Sequence, residues 1–345
     1  MGIKITDCTI RDGGYLLNKN SDSSFVKGIL EGLVNAGIDY IETGFLQTVS
    51  NGETIVFSNS QGPIKFFPKN KKSSEFLGFC DNSRYSPELL DEFNGTSFGW
   101  LRISFAKHEI DSALDFCKAA IEKGYRVQFN PMDTIGYSDE EIIELIKKVN
   151  LVRPASLSIV DTFGSMYIKD VVHLFKLFDC YLDKSVSIGL HSHDNLGLSC
   201  ALAETMCELS TNTERDIIID GSLFGMGRGA GNAKTELLAD YLNKHYSKNY
   251  DISVLLRTID KYIKPLLSTI HWGYDLPMFI CGTAHSHVDN VYHLSKEFDC
   301  SINDIFNVIN ELPSGLRTRY GKGYSKNDFS HLDEMYNDYI KRKQQ

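Results

Sequence analysis

The stretch Ile3-Lys4-Ile5-Thr6-Asp7-Cys8-Thr9-Ile10-Arg11-Asp12-Gly13-Gly14-Tyr15 reads as a short strand, Ile3 to Ile10. It runs into a turn that holds an arginine, a carboxylate and two glycines. An open, doubly wound sheet would place a phosphate fingerprint at such a turn. Arg11-Asp12-Gly13-Gly14-Tyr15 is not GxGxxG, and the chain has no GxxxxGK[ST]. Further strand-like runs follow at Tyr40–Phe45, Phe76–Cys80, Gly99–Phe105, Arg126–Asn130, Ser156–Asp161, Ser185–Leu190 and Ile217–Asp220. Between them lie helical patterns: Phe25–Ala36 closing at Gly37, Ile110–Glu122 closing at Gly124, Asp139–Val149 behind a Ser138 cap, Asp170–Leu182 and Leu198–Leu209. Strands alternating with helices imply βαβ units and a parallel sheet. Eight units predict an α/β fold, a closed (β/α)8 TIM barrel over residues 1–245. The rhythm then changes, and residues 246–345 read as a helical C-terminal extension. The weakest link is the long polar connection Gln47–Ser74, whose tract Gly62–Phe67 reads as a short strand or a loop over the site.

Composition narrows the function classes. Hydrophobic residues make up 42% and charged residues 23%, as in ordinary globular proteins. The net charge of −9 and the lack of a long basic run oppose nucleic acid as a partner. No stretch approaches the ~20 apolar residues of a membrane span. The first strand begins at the third residue, which leaves no signal peptide to expect. None of the eight cysteines forms a CxxC pair. Buried free thiols in a reducing cytoplasm are the expectation.

The second informative stretch is His191-Ser192-His193-Asp194-Asn195, at the end of the apolar run Val186–Leu190. Strand side chains repeat every two residues, so His191 and His193 point the same way. Barrel enzymes keep their sites at the carboxyl ends of strands. Strands one and seven flank strand eight, so Asp12 can meet the two histidines across it. A His-His-Asp set suits a divalent ion, Mn²⁺ first, with Mg²⁺, Co²⁺, Zn²⁺ or Fe²⁺ as alternatives. Asn232, after the glycine-rich Gly221–Gly231 loop, either completes that shell or caps the next helix. Asp194 either orients an imidazole or caps a helix.

These motifs together resemble the DRE-TIM metallolyases. The turn Thr9-Ile10-Arg11-Asp12-Gly13 is similar to that superfamily's signature turn, and His191-x-His193 to its strand-seven metal motif. Gly229-Ala230-Gly231-Asn232-Ala233 with Glu236 is similar to its strand-eight loop. Within the superfamily the chain is most similar to 4-hydroxy-2-oxovalerate aldolases and related aldolase-domain proteins, over roughly residues 3–240. The resemblance implies a metal held by Asp12, His191 and His193, with Asn232. It implies that Arg11 stabilises an enolate made from pyruvate or another 2-oxo acid. The partners would be that 2-oxo acid and an aldehyde, in a cytoplasmic homo-oligomer, a dimer in the simplest case. The chain departs where those aldolases carry a basic histidine three residues after the metal aspartate, because Tyr15 stands there. Tyr15 and His287, from Ala284-His285-Ser286-His287, are the acid/base candidates. The pair His285 and His287 is expected to open a helix, where such neighbours diverge. Arg102, Glu42, Asn130 and Thr162 are the candidate substrate contacts, with Arg102 the one able to hold a carboxylate or phosphate. Acyl-CoA-dependent Claisen-type synthases and lyases of the same superfamily are the alternative chemistry. A non-haem iron oxygenase is opposed by the βα rhythm. An inactive barrel used for binding is the alternative from another class.

Overall fold

The computed structural model describes residues 2–49, 52–319 and 328–345. Eight parallel strands form the barrel: β1 (Ile3–Asp7), β2 (Tyr40–Leu46), β3 (Glu75–Asp81), β4 (Trp100–Phe105), β5 (Arg126–Pro131), β6 (Ser156–Asp161), β7 (Ser187–Ser192) and β8 (Ile217–Gly221). Each pairs with its neighbour in sequence, and β1 pairs with both β2 and β8, which closes the ring. The strands are buried on both faces, yet polar side chains such as Arg102, Gln128, Ser158 and Asp220 alternate with apolar ones along them. Closure by pairing at both edges of β1 leaves no exposed barrel edge.

Six of the eight strands are followed by an α-helix among the described residues. The connections after β2 and after β3 have none among the described residues. Their described helical turns are short 3-10 turns, at Gly62–Phe66 and Pro87–Leu89. Gly62–Phe66 is therefore not a strand; the extra strand is Val56–Phe57, paired beyond the end of β2. β2 also carries a bulge where it pairs with β3, between Glu42 and Phe45. Gly44 supplies it at φ 137°, where a Cβ would lie 2.5 Å from the Ile55 carbonyl oxygen.

β1 stops three residues before the expected end at Ile10. Thr9–Asp12 is instead a helical turn. The cause is local: Asp7 Oδ1 accepts from the Thr9 amide at 2.9 Å, while its Oδ2 accepts from the Thr235 hydroxyl at 2.6 Å. The Asp7 side chain thus bends the chain and ties the turn to the start of the helix after β8. Arg11 and Asp12 sit on that turn, above the barrel end.

Beyond the last barrel helix, Thr235–His245, lies a run of helices. The first, Ile252–Thr258, packs closely on Ser23–Ala36 because Gly32 leaves room for Thr258, whose hydroxyl would lie 2.2 Å from an added Cβ. Helices Leu276–Ala284, Val288–Glu297, Ile302–Glu311 and Ser330–Gln344 build a second apolar core around Met278, Val291, Leu294, Ile305, Ile309 and Tyr336. Ala230 of the strand-eight loop belongs to that core, so the extension is anchored beside the barrel mouth. All eight cysteines are free thiols. No helix among the described residues is long and apolar enough to cross a membrane.

Candidate active site

The carboxyl ends of the strands surround a cavity of about 410 Å³. Its inner wall carries Arg11, Asp12, His191, His193, Asn130 and Thr162. β7 runs through His191, and the backbone of His193 bridges antiparallel to Asn232. The two imidazole centroids lie 5.3 Å apart at 76°.

A chain of alternating charges holds these groups. Arg11 Nη1 donates to Asp12 Oδ1 at 2.8 Å and Arg11 Nε to Glu42 Oε2 at 2.6 Å. Glu42 Oε1 lies 3.0 Å from Arg102 Nη1. Arg102 grips Asp220 with both Nη atoms, at 2.5 and 2.9 Å. Asp220 Oδ2 lies 3.0 Å from His191 Nδ1. Nearly every member is fully buried, so each charge relies on its neighbours for the solvation that water would give. Burial alone would push Asp220 up, yet Arg102 and His191 hold it down at about 2. Burial pushes Asp12 up as well, and Arg11 with the two imidazoles brings it down to about 2.

His193 Nδ1 lies 3.2 Å from the Gly231 carbonyl and 3.9 Å from Asp12 Oδ2. Burial pushes its imidazole down to about 4, against the pull of Asp12, so it is neutral at pH 7. Asn232 does not cap the following helix, whose N-cap is Lys234. Its Nδ2 donates to Asp12 Oδ2 at 2.6 Å. Its Oδ1 is buried without a hydrogen-bond partner among the described residues. Among those residues no three His, Cys, Asp or Glu side chains stand together in an arrangement able to hold a metal ion. The donor chemistry nevertheless suits a divalent cation: an ionised carboxylate, a neutral imidazole and an orphaned amide oxygen beside them.

The remaining candidates separate. Glu42 is wholly buried and serves the charge chain. Arg102 lines the cavity, but Gln128 and Asp220 accept from its guanidinium and Glu42 forms an ion pair with it, so its hydrogen bonds go to the protein. Asn130 Oδ1 accepts from Ser158 at 3.1 Å, and Thr162 Oγ1 from the Asp133 amide at 2.8 Å; both still face the cavity. Asp194 Oδ1 accepts from Ser199 N and Oγ at the start of helix Ser199–Leu209, and Oδ2 pairs with Lys234. Its role is to tie that helix to the strand-eight loop.

Tyr15 packs edge-on against Phe45, with centroids 5.1 Å apart. Burial raises its hydroxyl above the usual value, and Arg228 and Arg11 offset this only in part. At neutral pH it is a phenol that donates a proton rather than accepting one. His285 and His287 diverge, but not inside a helix as expected. His285 is the left-handed cap of Leu276–Ala284, and His287 is the N-cap of Val288–Glu297. His285 Nε2 turns away to Asp133 at 2.8 Å. His287 faces the cavity with its Nε2 3.4 Å from Arg228 Nη1. The outer wall adds Asp81, Arg84, Arg228, Asp289 and Tyr292, none of which the sequence pointed to. Arg228 did leave a signal, as the lone charged residue in the glycine-rich Gly221–Gly231 loop.

Residues 98–261 match the HMGL-like family model. That stretch is similar to the HMGL-like family, and beyond it the likeness extends further. An oxaloacetate decarboxylase of Mycobacterium tuberculosis is 27% identical over 248 residues, 70% of each chain. A 4-hydroxy-2-oxovalerate aldolase of Roseiflexus castenholzii is 26% identical over 282 residues, 76% of this chain and 78% of that one. Among solved structures, the N-terminal domain of a Bacteroides vulgatus protein provisionally assigned as an aldolase superposes with a TM-score of 0.74 at 29% identity. That match covers 88% of this chain and 99% of the other. The relatives named above are thus aldolases and a decarboxylase.

One glycine tests how tightly the inner wall of the site is built. A Cβ on Gly227 would lie 2.3 Å from Asn232 Nδ2 and 2.5 Å from Asp12 Oδ2. Gly227→Ala must therefore push those two side chains apart. A displacement of ~1 Å at a reacting centre costs on the order of 10²-fold in rate. Gly227→Ala should lose activity on that scale while keeping the wild-type circular dichroism spectrum. Unchanged turnover would place Asp12 and Asn232 outside the machinery.

Proposed function

We propose that this protein is a divalent-metal-dependent carbon–carbon lyase of the aldolase type, acting next to the oxo group of a 2-oxo acid. The observation that carries this reading is Arg11, a guanidinium clamped by Asp12 and Glu42 and facing a cavity with two imidazoles. Asp12, His191 and His193, with Asn232, would hold the ion, Mn²⁺ in the first instance. When bound, it would supply Lewis-acid polarisation of the substrate's 2-oxo carbonyl. Arg11 would then meet the charge that develops on the enolate oxygen, its fork already fixed before substrate arrives. Tyr15, protonated at neutral pH, would deliver a proton in the aldol direction or hold the substrate hydroxyl. His287 would stand by as the second proton-handling group, through its contact with Arg228. Asn130 and Thr162 would orient the 2-oxo acid, and Glu42 and Arg102 would hold Arg11 and His191 in place.

A second reading is favoured by one observation. Burial raises the Tyr15 hydroxyl, so at neutral pH it is protonated and unavailable as a base, and decarboxylation of a 2-oxo acid carrying a 3-carboxylate needs no base at a hydroxyl. That reading uses the same inner wall.

Exchange of the pyruvate methyl protons with deuterated water reports enolate formation alone. With Mn²⁺ it should be rapid, and chelation should abolish it. Exchange no faster than in buffer with Mn²⁺, Mg²⁺, Co²⁺ and Zn²⁺ each supplied would overturn both readings. Comparing oxaloacetate loss with aldehyde-dependent turnover then separates them.

A further inference from the structure

Arg102 was the arginine expected to hold an anionic substrate group, and its donors meet protein acceptors instead. Two other guanidiniums face the cavity at its outer end. Arg228 lies over the Tyr15 ring, 5.4 Å from the centroid, with Nη1 3.4 Å from His287 Nε2. Arg84 comes from the loop after β3, with its Nε 3.5 Å from Asp81 Oδ2. Lys19 stands close enough to feel the Arg84 charge and lies 4.9 Å over the Phe45 ring, itself packed on Tyr15. The charges acting on the Tyr15 hydroxyl are mostly positive, Arg228 the strongest, then Arg11, with Asp12 against them. Two acids share this wall. Asp81 Oδ1 accepts from the Ser83 amide and hydroxyl, and Asp289 Oδ2 lies 3.3 Å from His287 Nδ1.

The inner wall accounts for a three-carbon 2-oxo acid, and the volume of the cavity leaves room for a second fragment. Arginine meets carboxylate and phosphate through paired donors that a neutral aldehyde cannot use. We propose that the outer half of the cavity takes the anionic group, carboxylate or phosphate, of an aldehyde joined to or released from the 2-oxo acid, with Arg228 and Arg84 as specificity-determining residues. This rests on the lyase reading above. In the joining direction the pyruvate methyl carbon gives up a proton and bonds to the aldehyde carbon. The aldehyde oxygen takes up a proton and becomes the new hydroxyl, so atoms and charge balance without a further reactant.

The test is steady-state turnover of pyruvate with four aldehydes. Propanal is apolar, glyceraldehyde is neutral and hydroxylated, succinic semialdehyde bears a carboxylate, and glyceraldehyde 3-phosphate bears a phosphate. One of the two anionic aldehydes should exceed both neutral ones in kcat/KM by on the order of 10-fold or more, and which one does so identifies the group. Arg228→Gln should lower kcat/KM for that aldehyde by on the order of 10–10²-fold more than for propanal, mostly through KM. Arg228→Lys should restore part of the loss. A neutral aldehyde used as well as the anionic ones would overturn the proposal, and so would an equal loss for all four in Arg228→Gln. Methyl-proton exchange without any aldehyde keeps the two claims apart. Exchange without anionic preference sinks this proposal alone, and no exchange sinks the lyase reading and this with it.

Discussion

Arg11→Lys should lower kcat by on the order of 10²–10³-fold, the scale of losing one preorganised donor to a developing oxyanion. Lysine keeps the positive charge but cannot reach Glu42 and Asp12 with two fixed N–H bonds. In the native site those bonds are 2.6 and 2.8 Å long and fully enclosed. The guanidinium also lies 4.5 Å over the Phe79 ring, which sets its plane. Stopped-flow or coupled-assay turnover under saturating Mn²⁺ reads the effect, and the methyl-exchange rate should fall with it. Near-normal turnover would move the electrophilic role to another group.

The second large effect is on folding. Arg102 is 1% exposed and lies between Glu42, Asp220 and Gln128. Removing one partner from a buried ion set leaves uncompensated charge and typically costs ~3–5 kcal/mol. Arg102→Met should therefore lose that much of its unfolding free energy in urea. Adding Asp220→Asn removes one of the stranded carboxylates, so the double variant should be more stable than the sum of the singles predicts. A strictly additive pair would mean that the two side chains are not coupled.

The parts of this molecule that were legible in the sequence are those governed by local periodicity. Helix Ile110–Glu122 and strand Ser156–Asp161 fall where their patterns place them. The strand end at Ile10 did not, because the Asp7 side chain binds Thr235, more than two hundred residues away. Arg102 shows the same limit. A buried strand arginine pattern does not reveal that its acceptors stand 26 and 118 residues further along the chain. Arg84 and Arg228 lie on loops, where neither periodicity fixes the direction of a side chain. The pair His285 and His287 was visible as a motif, but its divergence comes from a left-handed residue between two helices.

The closure of the barrel sets an order of events during synthesis. β1 pairs with β8 along Ile3 to Asp7, against Ile217 to Gly221, but with β2 only at Thr6 and Asp7. At 5–20 residues per second, the ribosome needs roughly 10–40 s to make the intervening chain. Through that interval β1 holds one short contact and one vacant edge. Arg11 and Asp12 cannot reach their final surroundings until Asn232 has been made. A nascent chain stalled between β7 and β8 should therefore hold β1 with one edge unpaired, which makes it a target for chaperones or for pairing with a neighbouring copy.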